Sequence, residues 1–324
     1  MAAALHVTNG DATDVPGTGL AERVLVWFDV LHEGPVPAVG YDELRRIRAS
    51  FVAQGAGVDP DAVLRRFTAR DELLAANRDG DYVLWFEADL YDQLQLVEVL
   101  SRLAELGVPP HRITLICIGE YPGIAHFGGL GELRADQLRA LPDTPAGAPL
   151  TPAALDLAGQ AWSAFRAARP DGLGTIAASR SGELRFLGEA FDRLGREYPS
   201  TRDGLSLTQR RVLAAVADGE QPAETVFRHL AARETRPYLG DTWAFATMDG
   251  LVRAPVPLLA ADPAGVPVDR RTRLRLTDTG ARVLAGDADH VALNGVDRWI
   301  GGVHLNGRDA RWRWDEGTER ITAT

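Results

Sequence analysis

Residues 82–96, YVLWFEADLYDQLQL, decide the reading of the fold. Tyr82–Glu87 is a nearly continuous apolar run with no polar alternation. Such a run suits a strand covered on both faces, as in a parallel sheet. It breaks at Glu87, and a helix is predicted from near Asp89 to residue 106, closed by Pro109 and Pro110. On that helix Asp89, Asp92 and Gln93 fall at i, i+3 and i+4, so they share one face at its first turns. A strand that runs straight into a helix start is half of a βα unit.

The same pattern recurs on either side. Leu5–Thr8, residues 23–29 (RVLVWFD) and residues 112–118 (RITLICI) read as further strands. Residues 41–54 and 60–78 read as helices between them. This order predicts an α/β fold, with a mostly parallel, Rossmann-like sheet flanked by helices and right-handed crossovers. The proline-rich stretch 141–152 (LPDTPAGAPLTP) marks a boundary. The predicted organisation is an α/β ligand-binding or catalytic domain at 1–141, a linker at 142–152 and a helical connecting segment at 153–204. A winged-helix-like domain at 205–286 and a C-terminal β-hairpin at 287–324 follow.

Within 205–286, Ser206 and Gln209 have capping-box spacing before a helix ending near Gly219. Pro222 opens a second helix to residue 233, and Asp241 caps a third ending near Gly250. Apolar runs at 256–260 and 273–276 flank a turn around 262–265, and a short helix at 278–284 follows. Three helices and a hairpin are the order of a winged helix. The stretch LTDTG (276–280) with Leu284 resembles the segment after the wing in antibiotic-resistance-type bacterial regulators. Asn306-Gly307, a strong two-residue turn signal, predicts a final hairpin from residues 299–305 and 311–314.

Composition narrows the chemistry. Of 324 residues, 45% are hydrophobic and 25% charged, which is globular. A net charge of −10 gives no broad cationic field for nucleic acid or an anionic membrane. Residues 1–145 hold 22 acids against 12 arginines, so this part carries the excess. All 35 basic residues are arginine, which removes Schiff-base and P-loop lysine chemistry. The single cysteine, Cys117, removes disulfide frameworks and paired-cysteine zinc sites; inside an apolar run it reads as a buried inert thiol. No signal peptide or membrane-length apolar run is read, so a cytoplasmic location and no membrane partner are expected.

Each predicted strand ends in a polar motif: Asn9-Gly10-Asp11; Asp29 with His32-Glu33-Gly34-Pro35; Glu87, Asp89, Asp92 and Gln93; and Gly119-Glu120-Tyr121 with His126. In an open parallel sheet these ends share one edge, where ligands bind. Local explanations stand beside the functional one. Asp11 can cap, Gly10 can turn, Asp29 can bond nearby backbone, and His32 can be a satisfied half-buried histidine. Acids at 89 and 92 can merely complement a helix dipole. The functional reading makes them a carboxylate cluster that holds a divalent cation or supplies a general acid–base pair.

His32, Glu87 and Asp89 are then the catalytic candidates, with His32 or Glu87 moving the proton. Asn9, Gly10, Asp11, Asp29, Asp92, Gln93, Glu120, Tyr121 and His126 line the substrate. Arg70-Asp71 reads as a surface ion pair, and Gly128-Gly129-Leu130-Gly131 as a plain glycine-rich loop.

The leading expectation is an enzyme, a hydrolase or group transferase acting on a small polar, nucleotide- or phosphate-bearing molecule. A ligand-responsive regulator binding DNA through Arg270, Arg271, Arg273 and Arg275 is the alternative, and a partner-binding protein without catalysis a third. The third helix (DTWAFATM, 241–248) has no arginine, asparagine or glutamine for phosphate or base contact, which favours protein contact over DNA.

Five ordered motifs, HVTNGDAT (6–13), DVLHEGPVP (29–37), WFEADLYDQLQL (85–96), GEYPG (119–123) and LNGVDRWIGGVHL (293–305), together resemble the bacterial family called domain of unknown function 1835. The resemblance spans nearly the whole length. It implies an α/β N-terminal domain and brings no activity or catalytic residue. In the family pattern a histidine commonly stands between the two acids after the WF pair; here that position is Ala88, which weakens a metal reading of the motif.

Overall fold

The computed structural model describes residues 4–125 and 127–324. The chain divides into two compact units, one reaching Phe191 and including Gly301–Val303, the other formed by Asp192–Ile300 and His304–Thr324.

In the first unit the elements are β1 (Leu5–Thr8), β2 (Arg23–Val26), α1 (Tyr41–Ala56), α2 (Pro60–Ala76), β3 (Tyr82–Glu87), α3 (Leu90–Glu105), β4 (Ile113–Ile118), α4 (Ala135–Ala140), β5 (Gly147–Pro149), α5 (Pro152–Arg166) and α6 (Leu173–Ala177). The sheet order is β2-β1-β3-β4-β5. The first four strands are parallel, and β5 runs antiparallel beside β4. The central strands bury Leu5, Val7, Leu84, Trp85, Phe86, Ile113 and Ile116. Burying each such side chain stabilises the fold by about 1.5–3 kcal/mol. Helix α3 is buried almost all round, including Asp92, Gln93, Gln95 and Glu98. His6 lies inside β1, and its Nδ1 accepts the Trp85 indole N–H at 3.0 Å, which fixes its tautomer; burial pushes its pKa down.

Three expectations change here. Strand β2 ends at Val26, not residue 29: the Trp27 N–H still bonds the Thr8 carbonyl at 2.7 Å, and beyond it Asp29 is held by Arg48. The stretch 142–152 is not a bare linker: Gly147–Pro149 forms β5, and an edge strand tolerates proline. The helices after it, to Phe191, belong to the first unit and not to a separate connecting segment.

Beside β2 lies a buried ionic cluster. The Arg48 guanidinium donates to Asp29 Oδ1 at 2.6 Å and to the carbonyls of Val30, Glu33 and Pro35. One side chain thus fastens residues 29–35. Gly34 completes that turn, with φ +74° and the Phe51 ring where a Cβ would stand. Arg70 and Asp71, expected on the surface, are 6% and 5% exposed. Arg70 stacks on Trp27 at 3.7 Å, and Asp71 also accepts from Arg45. The Trp27 indole donates to Glu98 at 2.9 Å. Removing one partner of the Arg48–Asp29 pair costs about 3–5 kcal/mol, since it strands a buried charge.

The second unit holds α7 (Leu187–Gly195) from Asp192 onward, then α8 (Leu207–Ala215), β6 (Gln221–Pro222), α9 (Ala223–Ala232), α10 (Asp241–Arg253), β7 (Leu259–Asp262), β8 (Arg273–Leu276), α11 (Asp278–Ala285) and α12 (His290–Asn294). Strands β9 (Val296–Ile300), β10 (Val303–Gly307), β11 (Trp312–Asp315) and β12 (Arg320–Ala323) end the chain. The Ser206–Gln209 capping box is present, and α8, α9, α10 and the antiparallel sheet β6-β8-β7 enclose Val212, Val226, Met248, Leu258, Leu274 and Val283. Helix α10 runs past Gly250 to Arg253, whose guanidinium is held by Asp249, and Gly240 rather than Asp241 is its cap. The Asn306-Gly307 turn is also corrected. Gly307 ends β10; β9 and β10 turn at Gly301-Gly302, and β11 pairs with β12 in a second hairpin. Gly301 has φ +59°, so the Gly-Gly pair supplies the turn.

Burial pushes the Glu98 carboxyl up to about 7, Arg70 opposing and Asp29 adding to it. The folded state therefore holds this proton more tightly than the unfolded chain. Its contribution is full below about 4.5, declines as pH rises, and is lost above about 7. Glu98→Gln should match the wild type near pH 4 and exceed it by about 3 kcal/mol at pH 8 in urea unfolding. Equal pH dependence in the two proteins would contradict this account.

Candidate functional site

The register that pairs Thr8 with Trp85 places Asn9, just past β1, beside the end of β3. Asp89 caps α3, its Oδ1 accepting the Asp92 N–H at 3.0 Å. Helix side chains lean toward the N-terminus. Asp92 and Gln93 accordingly reach back to Glu87 from two sides. Asp92 Oδ2 accepts the Glu87 N–H, and its Oδ1 accepts Asn9 Nδ2 at 2.7 Å. Gln93 Nε2 donates to the Glu87 carbonyl at 2.6 Å and lies 3.5 Å from Cys117 Sγ. The Leu130 N–H donates to Glu87 Oε1 at 2.6 Å.

Oxygens of Glu87, Asp89 and Asp92 lie within 4.8 Å of one another, the one such group of metal-ligating side chains among the described residues. Burial pushes the Asp92 carboxyl well above the usual range, and the charges of Asp89 and Glu87 push it further. Burial and Asp89 raise Glu87 to about 7, with the Leu130 N–H opposing. Cys117 is buried, and burial with the Asp92 charge pushes its thiol up, leaving no thiolate at neutral pH.

Of the residues expected at the site, Asn9, Glu87, Asp89, Asp92 and Gln93 come together. Gly10 adjoins Asn9, its carbonyl accepting the Thr8 hydroxyl at 3.1 Å. Asp11 and Glu120 are exposed. Tyr121 is half-buried in the apolar cluster of Trp85, Ile116, Ile118 and Leu130. Asp29 is not part of the polar floor; it is consumed by Arg48. His32 is buried against the Tyr91 ring, edge-on at 5.8 Å between centroids, and does not belong to the three-carboxylate group. His126 lies outside the described residues.

Sequence reading missed Gly129 and Leu130. The loop treated as plain packs on Glu87: a Cβ at Gly129 would stand 2.4 Å from Glu87 Oε2, and φ there is +144°. The Gly-Gly pair after the fourth strand was the available signal. It also missed Arg185, whose Nη2 donates to the Cys117 carbonyl at 2.7 Å. No protein-family model and no curated protein matches the chain.

Gly129→Ala should displace the Glu87 carboxylate and strain the loop, lowering stability by about 1–3 kcal/mol. Thermal and denaturant unfolding measure it. An unchanged midpoint would show that the loop does not support Glu87.

Proposed function

We propose that the chain is an enzyme, a hydrolase or group transferase, acting on a small polar molecule that bears a phosphate or nucleotide group. The observation that carries this reading is the convergence of Glu87, Asp89 and Asp92, with the amides of Asn9 and Gln93, at the carboxyl ends of parallel strands. Capping explains Asp89 alone. It does not explain the buried Asp92 or the Glu87 side chain, whose crowding costs stability and is the mark of a working site. In this reading the carboxylates take the proton of an attacking water or hydroxyl. Asn9 and Gln93 hold the geometry, and the Arg185 guanidinium, exposed at the end of β4, attracts an anionic group. His32 is the second proton-transfer candidate. Membership of the domain of unknown function 1835 family, a bacterial source and a cytoplasmic location belong to the same proposal, supported by the five motifs.

For the second unit we propose a winged-helix-like module that contacts protein in preference to DNA. Helix α10 exposes Asp241, Thr242, Ala246, Gly250 and Arg253, and Arg253 is paired with Asp249. On the wing, Arg270 faces Asp241 at 3.6 Å and Arg273 pairs with Glu220. These offer little to a base edge or phosphate.

Turnover is measured on a panel of phosphate monoesters, phosphodiesters and nucleoside phosphates. Glu87→Gln and Asp89→Asn should each lose about 100-fold or more while still folding. No turnover across the panel, or unchanged turnover in both variants, removes the enzyme proposal. For the second unit, anisotropy with a random duplex at low salt should show no binding. Binding that falls steeply with salt and vanishes when Arg270, Arg271, Arg273 and Arg275 are replaced by alanine would establish the DNA alternative.

A further inference from the structure

We infer that Glu87, Asp89 and Asp92, together with Gln93 Oε1, form a binding site for a divalent cation of the magnesium or manganese class. This deepens the proposed function, because it rests on the same reacting centre.

Spacing is the first argument. Oxygens about 2.1 Å from a magnesium ion stand at most about 4.2 Å apart, and those around the larger calcium ion at most about 5 Å. Three carboxylate oxygens within 4.8 Å of one another already meet the calcium spacing and exceed the magnesium one by about 0.6 Å.

Gln93 gives the second, independent argument. Its side chain is 1% exposed, and its Oε1 has no hydrogen-bond partner. The amide cannot be reversed to satisfy it. Nε2 donates to the Glu87 carbonyl at 2.6 Å, and a flip would set two oxygens against each other. A buried acceptor without a donor needs an explanation, and a cation held beside Glu87 supplies one.

The arrangement of arginines gives the third. Several buried acids elsewhere in this chain are neutralised by guanidinium groups: Arg48 on Asp29, Arg45 on Asp71, Arg193 and Arg298 on Glu197, Arg210 on Asp203. At Glu87 and Asp92 the strongest charges are other acids. A cation fits where the protein has put its acids together. The donor set is all oxygen, which selects hard ions over zinc or copper, and the neighbouring Cys117 offers no thiolate.

The test uses the full chain, stripped with chelator and exchanged into chelator-free buffer. Manganese(II) alone is titrated and followed by calorimetry and by its electron paramagnetic resonance signal, with magnesium and calcium as competitors. One manganese per chain, displaced by magnesium, is expected. Asp89→Asn keeps a good helix cap, and Gln93→Met keeps the volume, so both variants should fold. Each should weaken manganese binding about 10-fold or more. No binding to the wild type at millimolar manganese, or binding unchanged in both variants, overturns the inference. The two proposals also separate. Turnover lost in the carboxylate variants of a chain that binds no manganese leaves the enzyme and removes the cation. Manganese bound through these residues, with turnover unaffected by their replacement, leaves the cation and removes the enzyme.

Discussion

The buried carboxylate of Asp92 ties the first unit together at the carboxyl ends of its parallel strands. One oxygen accepts from Asn9 after β1 and the other from the Glu87 N–H at the end of β3, while the residue itself sits in the first turn of α3. Three separate pieces of chain are thus fixed to a single, fully buried side chain. Such a network confers rigidity only while every member stays in register. The strands can end together only because β1, β3 and β4 are parallel and their apolar runs are covered on both faces.

Polar burial takes two forms in this unit. Around Asp29, Arg48, Arg70, Asp71 and Arg45, charges are matched by opposite charges, and the outcome is a fastened loop. Around Glu87 the acids are placed against one another, and the outcome is raised proton affinity. The first arrangement secures the chain after β2. The second stores unfavourable electrostatics that a bound proton, cation or substrate can relieve.

Much of this could be read from the letters. The run YVLWFE and its neighbours gave the parallel strands, since only doubly covered strands tolerate continuous apolar sequence. The i, i+3, i+4 placement of Asp89, Asp92 and Gln93 gave their common face. Other features could not be read. Asp29 looked like a crevice acid, and nothing local marks Arg48, 19 residues on, as its partner. Gly129 looked like loop filler, and its role depends on Glu87 lying 42 positions earlier in the chain. Asn306-Gly307 carried the stronger turn signature, yet the strand turns at Gly301-Gly302. The small residues and prolines of 142–152 suited a linker and an edge strand equally, and the open side of β4 decided between them.

The sequence by itself determined the four parallel strands, the helices between them and the acids that begin α3, because apolar period and capping act over a few residues. Tertiary structure decided which acids meet an arginine and which meet each other. That choice depends on side chains from distant segments sharing one small, water-poor volume, where the local dielectric multiplies every charge interaction.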